Sequence, residues 1–329
     1  MDGVPLETRV ALLRAYGTFP QAYSATYQPN LLHFGDQRGF IAYKKIGRTA
    51  FVLADPVAPP DHHADLIGRF LKQYPIADFW QVSRPTVEIL LPQGFLINEL
   101  GPDPRLDLAT YSFSGKDKQN LRTAINRAAK SGYVIRECSL TSLDIDEVRK
   151  MSEAWRATRT IRSREVSFIN RPFEAKDEVD VRKFFLFDRD GRLQALGGFD
   201  PIYEGGEIVG YIAQHNRNRP EVASFADHAI KRHAIETFQR EGRKWFYLGL
   251  APFAHLLNQQ YKSSRSQLVH RIFVFSYKND LVNRLIYPLK GHELHKRQFR
   301  GAVEQTYCAF SRRPTIPRLF MTLRACNII

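Results

Sequence analysis

Residues 112–133 constrain the fold more than any other stretch, because they describe a helix with one apolar side, and such a helix must lie on another layer. Ser114 reads as the N-cap with Asp117 three residues on, a variant of the capping box, and Gly132 stands where a left-handed C-cap ends the helix. At about 100° per residue, Leu121, Ala124, Ile125 and Ala128 share one face, while Lys116, Lys118, Arg122, Arg127 and Lys130 spread around the other. One side packs; the other meets water or anions.

On either side of this helix a similar order of elements is expected. Before it, residues 40–44 and 49–54 read as a hairpin ended by Asp55 and Pro56, 64–74 as an amphipathic helix, 79–82 as a strand and 86–91 as a short helix. After it, 144–156 reads as a helix, 183–187 and 193–199 as a hairpin, 208–213 as a third strand, 226–241 as a long helix stopped at Gly242, and 244–248 as a strand. The expectation is an α/β (α+β) chain of two related folds, residues 1–113 and 133–329, joined by the basic helix at 114–132. At 329 residues each half can bury its own core.

Charge narrows the partners. With 48 Lys and Arg against 34 Asp and Glu, the formal net charge is +14, which favours polyanions, either nucleic acid or an anionic membrane surface. The excess is clustered: Arg156, Arg159, Arg162, Arg164 and Arg171 form one group, and Lys290, Lys296, Arg297 and Arg300 another. No run of about 18 apolar residues and no basic-then-apolar leader occurs, so a soluble cytoplasmic protein, peripheral to the membrane at most, is expected. Three scattered cysteines argue for neither a disulfide framework nor zinc, and no His-Glu-x-x-His pattern supplies a metal. Phosphate-binding loops of the Gly-x-x-x-x-Gly-Lys-Ser/Thr or Gly-x-Gly-x-x-Gly kind are missing, as is the Gly-x-Ser-x-Gly elbow, so no cofactor is expected and serine-hydrolase chemistry has no nucleophile.

Two segments remain as candidate sites. Residues 211–221 follow a strand and precede a long helix; there Arg217 and Arg219 can neutralise a phosphate or an oxyanion, with Glu221 as their partner or a base. Alternatively these three form a turn with its own salt bridges. Residues 247–253 end a strand at Gly249, where exposed backbone N–H groups can hold a ligand, or where a strand simply passes into a loop.

These motifs together resemble one family. Ala42-Tyr43, Val52-Leu-Ala-Asp-Pro56, Ser114-Gly-Lys with Leu121-Arg122, Asn126 and Gly132-Tyr133, then Arg217-x-Arg-Pro220, Leu248-Gly-Leu-Ala-Pro252, and Tyr287-Pro-Leu-Lys-Gly291 with Lys296 and Tyr307 are similar in order and spacing to the catalytic domain of the phosphatidylglycerol lysyltransferases and alanyltransferases, the multiple peptide resistance factors. The resemblance implies two tandem acetyltransferase-like (GNAT) folds joined by a basic helix, and a tunnel through the second in which aminoacyl-tRNA and a lipid hydroxyl meet. It implies Arg217, Arg219, Glu221 and Gln214 as the catalytic segment, and Lys116, Lys118, Arg122, Asn126, Gly249 and Lys296 as substrate-binding residues. Family members usually carry an acid three positions before the first Arg of Arg-x-Arg-Pro, to engage the substrate amino group; this chain has Gln214 there.

The expected function is transfer of an amino acid from aminoacyl-tRNA to a hydroxyl or amino acceptor, an anionic lipid such as phosphatidylglycerol or a small molecule. Two other readings stand beside it: a CoA-dependent N-acyltransferase, although no pyrophosphate loop is visible, and a non-catalytic RNA- or membrane-binding protein on the same scaffold.

Overall fold

The computed structural model describes residues 3–159, 165–222, 225–256 and 260–328; Arg162 and Arg164 of the first basic cluster lie outside them. Two helices, α1 (Leu6–Tyr16) and α2 (Ala22–Tyr27), lead into an antiparallel meander of β1 (Leu32–Asp36), β2 (Gly39–Ile46) and β3 (Thr49–Val57). Only Gly47 and Arg48 connect β2 to β3, and Gly47 takes the positive φ of 57° that so short a turn demands. α3 (His63–Gln73) buries Leu66, Ile67 and Phe70 on the sheet and returns the chain to β4 (Ala77–Val82), parallel to β3. After α4 (Arg84–Leu90) comes β5 (Leu96–Asp107), a long strand with no clear sequence signal, since Gly101, Pro102, Pro104 and four charged residues break its apolar pattern.

The second half runs α5 (Gln119–Lys130), β6 (Val134–Glu137), α6 (Ile145–Ala157), β7 (Arg182–Phe187), β8 (Leu193–Glu204), β9 (Glu207–Asn218), α7 (Phe225–Arg240) and β10 (Trp245–Tyr247). Strands β6 to β9 are antiparallel neighbours and β10 is parallel to β9, so the ββαβ pattern of the first half returns. The chain ends with α8 (Gln267–Lys278), α9 (Asp280–Leu285), α10 (Leu289–Arg297), β11 (Ala302–Phe310) and α11 (Ile316–Ala325).

The eleven strands of the described residues form one sheet, ordered β1-β2-β3-β4-β11-β5-β10-β9-β8-β7-β6. At its centre the halves exchange strands. β11, from the end of the chain, lies between β4 and β5, whereas β5 turns its other edge to β10 of the second half. Separating the halves would therefore break three ladders, β4 with β11, β11 with β5 and β5 with β10, and leave their backbone groups unpaired.

The structure corrects the helix start. Ser114 bonds Ser112 through its hydroxyl and caps nothing; Lys116–Lys118 form a single 3₁₀ turn, and α5 begins at Gln119 without a side-chain cap. The apolar face is as expected, with Leu121, Ile125 and Ala128 buried against α7, and Gly132 follows the helix with φ 75°. The third strand of the second half is longer than its apolar stretch, because β9 keeps pairing with β8 through Asn218. Arg217 is thus a strand residue, opposite Leu196, and does not belong to a loop.

Candidate active site

β9 and β10 pair in parallel only from Gly210–Trp245 to Ile212–Tyr247, then diverge. β9 continues toward Asn218, while the chain after β10 is drawn onto β5: the N–H groups of Leu248, Ala251 and Phe253 donate to the carbonyls of Pro104, Pro102 and Leu100. Pro102 and Pro104 have no N–H of their own to offer the ladder, yet their carbonyls fasten this segment. Gly101 is needed for the approach, since a Cβ there would fall 2.3 Å from the Ala251 carbonyl oxygen. The expectation of open N–H groups at residues 247–253 is therefore corrected: these three are spent on β5, and that of Gly249 goes to the Asp103 carboxylate.

Into the divergence comes Lys296 from α10. Its Nζ donates to the Gly249 carbonyl at 2.8 Å and the Leu250 carbonyl at 2.6 Å. Burial lowers the ammonium's pKa, and the nearby Asp103 carboxylate opposes that shift. Burial in turn raises Asp103, against the pull of Lys296, and Asp103 Oδ1 has no hydrogen-bond partner. A strand of the first half thus supplies the counter-ion for a lysine of the second.

α10 is clamped to α7 next to this lysine. Asp227 accepts from Lys231 and faces His295 Nε2 at 2.6 Å; burial raises its pKa, but Lys231 and His295 outweigh that and hold it well below the usual carboxylate range. The His295 ring lies 4.2 Å from that of His228, which stacks on Phe299.

The arginine end is built on α6. Arg217 is 5% exposed, with its guanidinium 3.9 Å above the Trp155 ring. Its Nε donates to Ser152 Oγ at 3.2 Å, Nη1 to the Asn216 carbonyl at 3.2 Å and Nη2 to Glu165 Oε2 at 2.9 Å. All three nitrogens of the guanidinium are engaged by protein. Burial lowers its pKa to about 10, with Glu165 opposing. Arg159 also lies over Trp155, at 4.2 Å, and Arg156 reaches Glu165 at 3.5 Å. Burial and the charges of Lys296, His295, Arg159 and Lys231 lower His292 to about 4, and its ring stacks on Tyr287. His292 thus feels both basic clusters, which are far apart in sequence and meet here.

The remaining candidates are dispersed. Arg219 donates to the Leu193 carbonyl at 2.6 Å and to Glu147 at 2.7 Å, tying β9 to β8 and α6, and Glu221 is exposed in the turn beyond. Gln214 occupies a register shift of β9 and donates to Asn170 Oδ1 at 3.1 Å. On the connecting segment, Lys118 Nζ donates to the Ser112 carbonyl and covers the Tyr111 ring, and Arg122 donates to the carbonyls of Phe113 and Gly115, so both serve their own loop. Lys116 and Asn126 are exposed. Between α5 and α7 is a cleft of about 240 Å³, lined by Ile125, Ala129, Tyr133, Ala229, Arg232 and His233 among others. Arg171 is structural: buried, it forms a bidentate pair with Asp200 and an ion pair with Glu178. Sequence reasoning missed Asp103, Trp155 and Asp227. Asp103 had no signal, whereas Asp227 and Lys231 at i and i+4 of a predicted helix were a readable pair.

A basic, divided strand junction on a mixed α/β sheet of this order is the acetyltransferase-like fold. The chain belongs to the family described as phosphatidylglycerol lysyltransferase, C-terminal, which matches residues 10–310. It is similar to phosphatidylglycerol lysyltransferases of Bacillus subtilis (strain 168), 22% identical over 67% of this chain and 26% of that protein, and of Staphylococcus epidermidis (strain ATCC 35984), 23% identical over 89% and 35%. The chain thus spans about a quarter to a third of these relatives. In structure it is similar to L-PGS from Bacillus licheniformis, with a TM-score of 0.80 and 19% identity over 99% of this chain and 98% of the other. The C-terminal domain of a putative lysylphosphatidylglycerol synthetase from Agrobacterium fabrum gives 0.78 and 18% over 98% of each. Among the described residues no helix is long and apolar enough to cross a membrane.

Proposed function

We propose that this chain transfers an amino acid from aminoacyl-tRNA to a hydroxyl or amine of an anionic acceptor, phosphatidylglycerol or a related lipid, at the divergence of β9 and β10. The observation that carries this reading is Lys296, half-buried there beside Asp103 in a chain of this family. An aminoacyl ester is already activated, so the enzyme needs chiefly to position the acceptor, remove its proton and stabilise the oxyanion. In the proposed step the acceptor oxygen attacks the ester carbonyl carbon and its proton passes to the Lys296 amine. The bond to the ribose oxygen then breaks, and Lys296 returns the proton to that leaving oxygen. Burial, by lowering Lys296, brings the amine form closer to neutral pH.

Arg217 and Arg219, paired with Glu165 and Glu147, fix this end of the sheet on α6 and its following segment. A lipid acceptor is supported by α8 to α10, where the exposed Phe275, Leu281, Leu285, Ile286 and Leu294 are interleaved with Lys278, Arg284, Lys290 and Arg297. The exposed Lys116, with Arg127 and Lys130, suits the phosphates of RNA. Gln214, uncharged and bonded to Asn170, favours an amino acid without a second ammonium group. In this reading the units are residues 1–113 and 133–329, bridged by 114–132, with β5 and β11 exchanged between them.

The test supplies each labelled aminoacyl-tRNA with phosphatidylglycerol vesicles and with a small-molecule extract. Label is expected in lipid with the wild type and not with Lys296→Met. Label found only in a soluble compound changes the acceptor; RNA binding with no transfer of any amino acid defeats the enzymatic reading.

A further inference from the structure

The strand divergence that forms the site in the second half has a counterpart in the first, and that counterpart is filled. β3 and β4 pair in parallel from Ala50–Ala77 to Leu53–Trp80; the residues that follow, Ala54 and Gln81, are both left-handed, at φ 63° and 58°. The side chain packed beside this gap comes from the second half. Phe168, fully buried and itself at φ 67°, lies against Phe51 with ring centroids 6.5 Å apart, in the cluster that includes Leu53, Ala54 and Trp80.

Its backbone is held on all sides by groups foreign to the second half's sheet. Gln28, at the end of α2, accepts from the Phe168 N–H and donates to the Phe168 carbonyl at 3.0 Å, both contacts buried. Gln81 donates to the Ile169 carbonyl at 2.7 Å, the Ser167 N–H donates to the Cys326 carbonyl at 3.0 Å, and Asn327 donates to the Glu165 carbonyl at 3.0 Å. The same short segment grips β9 with its other atoms. Glu165 takes Arg217 at 2.9 Å, Asn170 takes Gln214 at 3.1 Å, and the Arg171 carbonyl lies 2.9 Å from His215 Nε2. Three consecutive or near-consecutive residues of β9 are thus set by a segment whose own position is set by Gln28 and Gln81 of the first half together with Cys326 and Asn327 near the end of the chain.

We infer that the strand gap of the first half is a socket for Phe168, and that Phe168 and Gln28 are positioning residues, holding Glu165 and Asn170 in place against Arg217 and Gln214. The first half then contributes to transfer through this plug as well as through Asp103. A left-handed Phe in a core is costly unless the site around it is fully determined, and a two-point side-chain clamp on its peptide groups provides that determination. The socket is also closed to any ligand of its own while Phe168 occupies it.

The role in transfer rests on the proposed function, so the experiment has an arm independent of activity. Arg217 stacks on Trp155, and Trp155 emission, taken as the difference between each protein and its Trp155→Phe counterpart, reports whether Glu165 still holds that arginine. Gln28→Leu and Phe168→Leu are each expected to shift this emission and raise acrylamide quenching in the same sense as Glu165→Gln, and to add nothing further when combined with Glu165→Gln. Gln28→Glu, which keeps the acceptor and loses the donor, is read in the same way where a Leu variant does not fold. Transfer should fall about a hundredfold in kcat, the usual result of a misplacement near 1 Å, with cooperative melting retained. Variants that lower the melting temperature yet leave Trp155 emission as in the wild type, or whose effects add to that of Glu165→Gln, overturn the inference. A wild type that transfers nothing to any acceptor defeats the proposed reaction, while the fluorescence still decides the socket.

Discussion

Replacing Lys296 by Met separates chemistry from folding. The ammonium makes two charge-assisted hydrogen bonds, to Gly249 O at 2.8 Å and Leu250 O at 2.6 Å, and bonds of this kind contribute roughly 1.5–3 kcal/mol each. Against their loss stands relief of the several kcal/mol it costs to bury an ammonium, and the Met side chain fills nearly the same space. Asp103, already raised by burial, would lose the cation opposing that shift and take up a proton, leaving no bare buried charge. The net loss should be about 1–3 kcal/mol, a fall in melting temperature of about 1–4 °C for a chain of this size. Removal of a general base, by contrast, costs about 10²- to 10⁴-fold in rate. Single-turnover transfer from labelled aminoacyl-tRNA to lipid, with calorimetry on the same preparation, measures both. Lys296→Arg restores the charge but cannot give up a proton near neutral pH, so it should stay as inactive as Lys296→Met. Transfer by either variant at more than about a tenth of the wild-type rate would refute the base role.

Arg217→Ala breaks a largely buried ion pair with Glu165 and strips Trp155 of a stacked cation, and should cost about 3–5 kcal/mol by denaturant titration; a loss under about 1 kcal/mol would mean that Glu165 finds water instead. Gly249→Ala places a Cβ at φ 79°, 3.5 Å from Lys296 Nζ, so it should lose about 1–2 kcal/mol and slow transfer; unchanged turnover would separate this glycine from the site. Lys116→Ala should reduce the salt slope of RNA binding by about 0.9, whereas Lys118→Ala, whose ammonium already serves Ser112, should mainly loosen its loop; equal slopes would contradict this division. Burial holds His33 and His292 near pKa 4, and holds His215 well down, all below the ordinary 6.5 of an unfolded chain. At these three sites the unfolded chain binds more protons, so their contribution to stability is complete above about pH 6.5 and declines as pH falls toward 4, whereas Asp78 and Asp103, raised by burial to about 6 and about 7, add stability as pH falls through those values. His33→Gln and His292→Gln should each flatten that decline in urea midpoints between about pH 7.5 and 5; a pH profile identical to that of the wild type would contradict these shifts.

Much of the fold was legible because burial leaves periodic marks. The hairpin at β2 and β3, the helices α3, α6 and α7, and the apolar face of α5 each followed from spacing within one element. The long strand β5 was not legible, since its two prolines and four charges look like a loop; only partners on both sides, β11 and β10, make it a strand. Ser114 misled for a related reason. A capping pattern is a local competition, and here the Ser112 hydroxyl took the side chain while Lys118 and Arg122 satisfied the loop carbonyls. Within the candidate site, sequence marked Arg217, Gly249 and Lys296, but not that they stand apart in role: Arg217 is enclosed by α6 and Glu165, while Lys296 and Gly249 touch.

By itself, the sequence determined what each segment must do locally: which faces pack, where turns fall, how strongly the surface attracts anions, and which family the ordered motifs belong to. Tertiary structure alone decided which distant groups meet. Asp103 reaches Lys296, and Gln28 clamps Phe168, only because β5 and β11 cross the centre of a single sheet and because a segment of the second half fills a gap in the first. Periodicity records whether a residue is buried; it carries no information on what it is buried against, and it is the neighbour that sets the charge state of Lys296 and the position of Glu165.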